Sequence, residues 1–379
     1  MQGNVIRILH IVSVMNRGGI ETFLMNIYRH IDHSKIQFDF LVTREEVGIY
    51  DNEILVLGGK IHNIPHIRKV GLVKYRQSII DFFNTHNEYK IVHCHMNTWA
   101  GFFLPLARKC GIPVRISHSH SSADCKTGLK EFLKFVFKKY NALFINNNAT
   151  HYFACSQKAG KWLFGEKIAN EKLKIINNAI DTEKFRFNVE VAKKLRKELN
   201  IPYDAFVIGH VGRLHYQKNH SFLIDVFQEI KVRKQNVILC LVGTGELKNT
   251  IEIKIKEAGL IDSVKMLGIR SDINELMMMF DVFVFPSLSE GFGNVALEAQ
   301  AAGLKTIVAD TVPDEIKVTE QVEFISLKEK KAFWAEQILK YGDGYKRIDT
   351  YKDIVNAGYD VKKQVKWLES FYLEDHNKN

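Results

Sequence analysis

The sequence predicts an α/β protein made of two doubly wound, Rossmann-like domains facing each other across a cleft. Three observations carry that expectation. The chain has 379 residues, too many for one ordinary hydrophobic core and suited to two. Short apolar runs alternate with stretches of helical period, the pattern of parallel strands covered on both faces by helices. The alternation then starts afresh after a joining segment at residues 188–203.

In the first half, residues 5–12 read as a strand and 19–30 as a helix. Residues 38–42 and 60–64 follow as short strands, and 72–84 as a helix. A strand at 91–95, a helix at 98–109 and strands at 114–117, 150–155 and 173–176 complete the set. In the second half the strands fall at 206–211, 237–242, 264–267, 282–285 and 306–309, with helices between them. Residues 361–372 carry an apolar stripe at helical spacing. The expected boundaries are 1–187, 188–355 and a terminal segment 356–379. In such sheets ligands collect outside the carboxyl ends of the strands, which is where candidate residues are sought.

Composition excludes several classes. Hydrophobic residues make up 46% and charged residues 25%, ordinary for a soluble globular chain. No apolar run approaches the ~20 residues of a membrane span, and Met1-Gln-Gly-Asn-Val-Ile leads directly into a strand without a secretory pattern. A cytoplasmic protein is expected. The five cysteines form no CxxC pair. His93-Cys94-His95 sits on a strand whose successive side chains alternate faces, so all three cannot meet one ion, and reduced, mostly buried thiols are expected. The net charge of +10 lies wholly in the first half: residues 1–185 hold 25 Lys/Arg against 15 Asp/Glu, whereas 186–379 hold 28 of each. Such a surface attracts an anionic membrane face, a lipid pyrophosphate or a nucleic acid. No RNP, zinc-finger or helix-turn-helix pattern accompanies it, so a nucleic-acid partner is not expected.

The most informative stretch is Ser289-Glu-Gly-Phe-Gly-Asn-Val-Ala-Leu-Glu298, between the apolar strand ending at Phe285 and a helix stopped by Gly303. Glu290 stands in the turn and Glu298 within the helix. Gly291 and Gly293 free backbone amides to face an anion at the positive end of the helix dipole. That arrangement suits a phosphorylated ligand with hydroxyls for the carboxylates to accept from. Taken alone, the two residues also read as a loop-closing and a solvated glutamate. The segment resembles the E-x7-E signature of the GT4 family of retaining glycosyltransferases, including the bacterial exopolysaccharide and capsule enzymes.

Further motifs extend the resemblance over nearly the whole chain. Asn16-Arg17-Gly18-Gly19 stands between a strand and a helix, where Gly18 and Gly19 let backbone approach a phosphate. Ile208-Gly-His-Val-Gly-Arg213-Leu-His-Tyr-Gln-Lys218-Asn219 resembles the family's G-R-x(4)-K-N. The resemblance implies that Arg213 and Lys218 hold the donor diphosphate, Arg as a planar fork and Lys as a point charge. Val242-Gly243-Thr-Gly245-Glu246 resembles a strand-end turn of the family, and Gly268-Ile269-Arg270 the loop that meets the nucleobase. It further implies ribose hydroxyls on Glu298, the transferred sugar on Glu290, and Phe292, Gly293, Asn294 and Val295 lining sugar and phosphate.

The implied fold is GT-B, with an acceptor domain at 1–187, a nucleotide-sugar domain at 188–355 and a last helix returning to the first. The implied reaction moves a hexosyl or N-acetylhexosaminyl group from a nucleoside-diphosphate sugar, UDP-linked as the expected case, to a glycan or polyprenyl-diphosphate-linked acceptor. No cofactor and no metal are expected, because no DxD-like motif lies at a strand end. On the acceptor side, Ser117-His118-Ser-His120 offers two histidines that titrate near neutral pH; either can receive or relay a proton, with His120 preferred. Lys126, Lys130, Lys134 and Lys138 recur every four residues opposite an apolar stripe. They fit either a core-facing helix with a solvated lysine face or a helix resting on an anionic membrane. A nucleotide-sugar epimerase of the same architecture is the enzymatic alternative, and a basic nucleic-acid-binding protein the alternative from another class.

Overall fold

The structure, a computed structural model, describes residues 5–16, 18–120 and 129–378, and for residues 129–136 and 138 their backbone alone. It divides into two compact units, residues 1–180 with 360–379, and residues 181–359.

The first unit is built on seven parallel strands: β1 (Ile6–Val12), β2 (Ile36–Val42), β3 (Ile61–Asn63), β4 (Ile91–Cys94), β5 (Val114–Ser119), β6 (His151–Ala154) and β7 (Leu173–Ile175). Their order in the sheet is β3-β2-β1-β4-β5-β6-β7. The second unit has six: β8 (Phe206–Val211), β9 (Val237–Val242), β10 (Val264–Gly268), β11 (Val282–Phe285), β12 (Lys305–Ala309) and β13 (Val322–Ile325), ordered β10-β9-β8-β11-β12-β13. Each sheet reverses direction of growth once, at β1/β4 and at β8/β11. Loops leaving the carboxyl ends of these strands therefore diverge and leave a crevice for ligand. The expected fold class, GT-B with two doubly wound units, is what the chain adopts.

Helices cover both faces of the first sheet. One face packs Phe38, Phe40 and Tyr28 against Val361, Val365, Leu368 and Tyr372 of the last helix, Val361–Asn377. That helix starts at Asp360, whose side chain accepts from the Lys363 amide. Each of those four buried apolar side chains contributes on the order of 1.5–3 kcal/mol. The other face packs Tyr75, Ile79 and Phe82 against Phe103 and Leu104. Asp39, fully buried on β2, receives two bonds from Arg7 (2.5 and 2.6 Å) and one from the Tyr89 hydroxyl at 2.7 Å. Burial pushes its carboxyl up, but these donors outweigh that and hold it below the usual range.

The boundaries differ from those expected. The divisions fall at 180/181 and 359/360 rather than 187/188 and 355/356. Helix Thr182–Phe185 packs within the second unit against Ile273–Met279, Asn294–Ala301 and Tyr351–Asn356. Tyr359 stays there too, stacked on Phe292 with ring centroids 5.2 Å apart. Helix Asp51–Val56 and strand β13 had no counterpart in the sequence reading, and the helix expected at 72–84 runs Ile67–Thr85 across a kink at Gly71 (φ 76°). Cys94, Cys155 and Cys240 are buried and Cys110 is half-buried; Cys125 lies outside the described residues. Among the described residues no helix is long and apolar enough to cross a membrane.

Candidate functional site

In the second unit three loops at the carboxyl ends of β8, β9 and β10 are sewn together through backbone. The Gly212 amide donates to Val242 O (2.9 Å), Leu214 N to Thr244 O (3.0 Å) and Gly243 N to Gly268 O (2.8 Å). Gly243 stands at φ 133°, and a Cβ there would lie 2.1 Å from the Gly212 oxygen. The loop after β11 joins this group, with Leu288 N donating to Gln217 O at 2.8 Å. Gly293, at φ 100°, is the N-cap of helix Asn294–Ala301.

This scaffold brings Lys218 and Glu290 together. The Lys218 ammonium lies 2.6 Å from Glu290 Oε1, with side chains only 18% and 10% exposed, and 4.6 Å from the centre of the Phe285 ring. Neither the pairing nor its burial was apparent from the sequence. Arg213 is 71% exposed and touches Glu246 at 3.2 Å, so its guanidinium stays available to an incoming anion. Gly268 follows directly as the last residue of β10. Arg270 is tied bidentately to Asp272 at 2.8 and 2.5 Å, which raises the guanidinium pKa and lowers that of the carboxyl. The loop therefore presents backbone and the exposed Ile269 side chain rather than a free charge. Phe292 is buried, and Asn294 and Val295 are half-buried at the helix start.

Glu298 retains part of its surface, yet protein crowds its carboxyl closely enough that burial pushes it up to about 8. At neutral pH it is mostly protonated and can donate as well as accept. The native carboxyl keeps its proton to about pH 8, whereas an unfolded glutamate releases it near 4.5. Stability is therefore expected to fall as pH rises through that window and to level off above it. Melting curves from pH 5 to 9 should show a decline on the order of several degrees that Glu298→Gln removes. Parallel curves for the two proteins would mean that the carboxyl ionises normally.

In the first unit Gly18 and Gly19 form the amino end of helix Gly19–Tyr28. Phe23 on that helix meets His118 and His120 edge-on, with ring centroids 5.4 and 5.5 Å away. His118 has no exposed surface, while His120 is half-buried. Burial holds His118 well below the usual imidazole range and pushes His120 down to about 3, so both are neutral. The sequence reading missed their company. His10, His93 and His95 share the same sheet face, stacked at 4.2–5.3 Å between neighbouring rings. Cys94 points into the opposite core layer, as strand alternation demands. The legible signal was a pair of His-x-His steps, 93/95 and 118/120, on strands β4 and β5 that turn out to be neighbours.

Lys126 lies outside the described residues, and for Lys130, Lys134 and Lys138 only their place on or beside helix Leu129–Asn148 is described. From the apolar stripe of that helix, Phe137 and Tyr140 are exposed, as are Leu143 and Phe144.

Comparison with known proteins places this geometry. The family model for Glycosyltransferase Family 4 matches residues 17–184, and that for Glycosyl transferases group 1 matches residues 191–347. The "Putative glycosyltransferase EpsF" of Bacillus subtilis (strain 168) is 37% identical over 98% of both chains. The chain belongs to the family 4 glycosyltransferases. Another relative in this family is the Escherichia coli UDP-Gal:alpha-D-GlcNAc-diphosphoundecaprenol alpha-1,3-galactosyltransferase, 27% identical over 81% of each chain. The fold matches HepE of Anabaena, solved in complex with UDP and glucose, at a TM-score of 0.76 and 19% identity, covering 97% of this chain and 99% of the other. As a family 4 glycosyltransferase the protein is a transferase, which sets aside the epimerase alternative.

Proposed function

We propose that the protein is a retaining transferase moving a hexosyl or N-acetylhexosaminyl group from UDP to a glycan carried on a polyprenyl diphosphate, in cell-surface polysaccharide synthesis. The observation that carries this reading is the part-buried Lys218–Glu290 pair beside the Gly293-capped helix. A cation, a carboxylate and the amino end of a helix come together there, which suits what a sugar diphosphate presents. Arg213 and Lys218 take the diphosphate and the amides of residues 292–295 share its charge. The cations and the helix terminus stabilise the departing phosphate without a divalent ion at that position. Glu290 accepts from hydroxyls of the transferred sugar, and Glu298 meets the ribose. Departing UDP itself takes the acceptor proton on the face it leaves, which retains the anomeric configuration.

The donor and carrier are those in the name of the E. coli relative, and UDP and glucose are those bound to HepE. The exposed Phe137, Tyr140, Leu143 and Phe144 of helix Leu129–Asn148 suit peripheral contact with the cytoplasmic membrane face, where a lipid-linked acceptor resides.

The test is a thermal-shift panel of UDP-, GDP- and ADP-sugars. A UDP-sugar at 100 times its Kd stabilises by about 2.7 kcal/mol and raises the melting point, while the other two do not. No shift with any UDP-sugar sinks the reading. Sedimentation of the same protein with anionic and neutral vesicles checks the membrane contact, expected with the anionic ones alone.

A further inference from the structure

Five histidines, 10, 93, 95, 118 and 120, gather at the carboxyl ends of β1, β4 and β5. They are linked ring to ring. His10 Nδ1 lies 3.0 Å from His95 Nε2, and His95 Nδ1 lies 2.8 Å from His120 Nε2. His93 Nε2 lies 3.1 Å from His118 Nδ1, and His93 Nδ1 lies 2.8 Å from the Tyr372 hydroxyl. Most buried polar side-chain atoms in folded proteins have a hydrogen-bond partner. Here His118 Nε2 and His10 Nε2 are buried with no partner among the described residues. One ring nitrogen from each of His95, His118 and His120 lies within 4.8 Å of the other two.

We propose that His95, His118 and His120 form a binding site for a divalent transition-metal ion of the zinc class. Three imidazoles with a fourth position left open is an established zinc donor set. The hydrogen bonds fit it. The ion takes His95 Nδ1, His118 Nε2 and His120 Nε2, which gives the unpartnered His118 nitrogen its role. His95 Nε2–H then donates to His10 Nδ1, and His118 Nδ1–H to His93 Nε2. His93 in turn donates from Nδ1 to the Tyr372 oxygen. Each of these two inner ligands thus has a hydrogen-bond acceptor fixing its tautomer, the outer support that metal-bound histidines require. Nitrogens around a tetrahedral ion at 2.0–2.1 Å stand about 3.3 Å apart, so His95 and His120 part by roughly half an ångström on loading. Burial keeps all five rings neutral, the form that binds metal. His10, His93 and His95 form a second close set, but every ring in it is buried. Half-buried His120 gives the proposed set its access to solvent.

The inference stands apart from the transfer reaction, since a protein that failed to bind any nucleotide sugar would leave it intact. The test is titration of untagged, chelator-treated full-length protein with Co²⁺, followed by competition with Zn²⁺. One Co²⁺ per chain is expected, with the strong visible bands of a four-coordinate nitrogen site, displaced by Zn²⁺. His95→Ala and His120→Ala should each weaken binding at least about tenfold, whereas His86→Ala, in the separate His62–His86 contact, should bind as wild type does. Should His95→Ala fail to fold, His120→Ala decides, because its side chain reaches the surface. No stoichiometric uptake by the wild type, or unchanged affinity in His120→Ala, overturns the proposal.

Discussion

Glu290→Gln is expected to lower kcat for sugar transfer by about 10²- to 10³-fold while changing the affinity for UDP only a few-fold. The size is that of removing one preorganised electrostatic partner from a transferring group. The split follows from position. Glu290 faces the sugar in the proposed complex, whereas the nucleotide is gripped by Arg213, Lys218 and the helix amides. A ground-state interaction would appear in KM, and one realised only as the bond breaks appears in kcat. The amide is isosteric with the carboxyl, so it fills the same 10%-exposed position. It does leave the Lys218 ammonium without its counter-charge, 4.6 Å above the Phe285 ring. Losing one member of a part-buried pair costs on the order of 1–3 kcal/mol, which a melting curve measures separately. Steady-state kinetics at saturating donor, with the melt as control, tests this. Turnover within threefold of wild type would remove Glu290 from the chemistry.

How much of this was legible in the sequence depended on how local the cause is. Strands at 206–211, 237–242 and 282–285 matched the structure to the residue, because a parallel strand buried on both faces reads as a near-continuous apolar run. Strand β13, Val322-Glu-Phe-Ile325, escaped because it is an edge strand with Glu323 and Phe324 half-exposed. Helix Asp51–Val56 escaped because six residues are too few to establish a period. The glycine turns and the charges around Arg213, Lys218 and Glu290 were visible, since backbone that must turn left-handed or meet an anion restricts residue type locally. Their partnerships were not. Lys218 meets Glu290 across 72 positions, and His10 meets His95 across 85. Strand alternation correctly separated Cys94 from its two neighbours. It says nothing of which strand lies alongside, so two His-x-His steps gave no sign that they form one cluster.

Gly243→Ala is expected to destabilise the second unit by about 3 kcal/mol or more and to abolish UDP-sugar binding. Two penalties combine there. An L-residue at φ 133° costs on the order of 1–3 kcal/mol in backbone strain. Beyond that, the new Cβ would sit 2.1 Å from the Gly212 carbonyl oxygen, a backbone atom that cannot rotate away. Relief requires the turn to move, and the Gly243 amide is what ties it to Gly268 O at 2.8 Å. The loop bearing Arg213 and the loop after β10 therefore lose their shared anchor together. Gly259→Ala separates the two penalties, since Gly259 stands at φ 68° with nothing within 4 Å of its added Cβ. It carries the strain without the collision and should cost about 1–2 kcal/mol, with donor binding retained. Denaturant melts of both variants, each with and without a UDP-sugar, give the comparison. Equal losses in the two proteins would show that the strand ends move independently, and the loops around Arg213 and Gly268 would then not act as one preorganised frame.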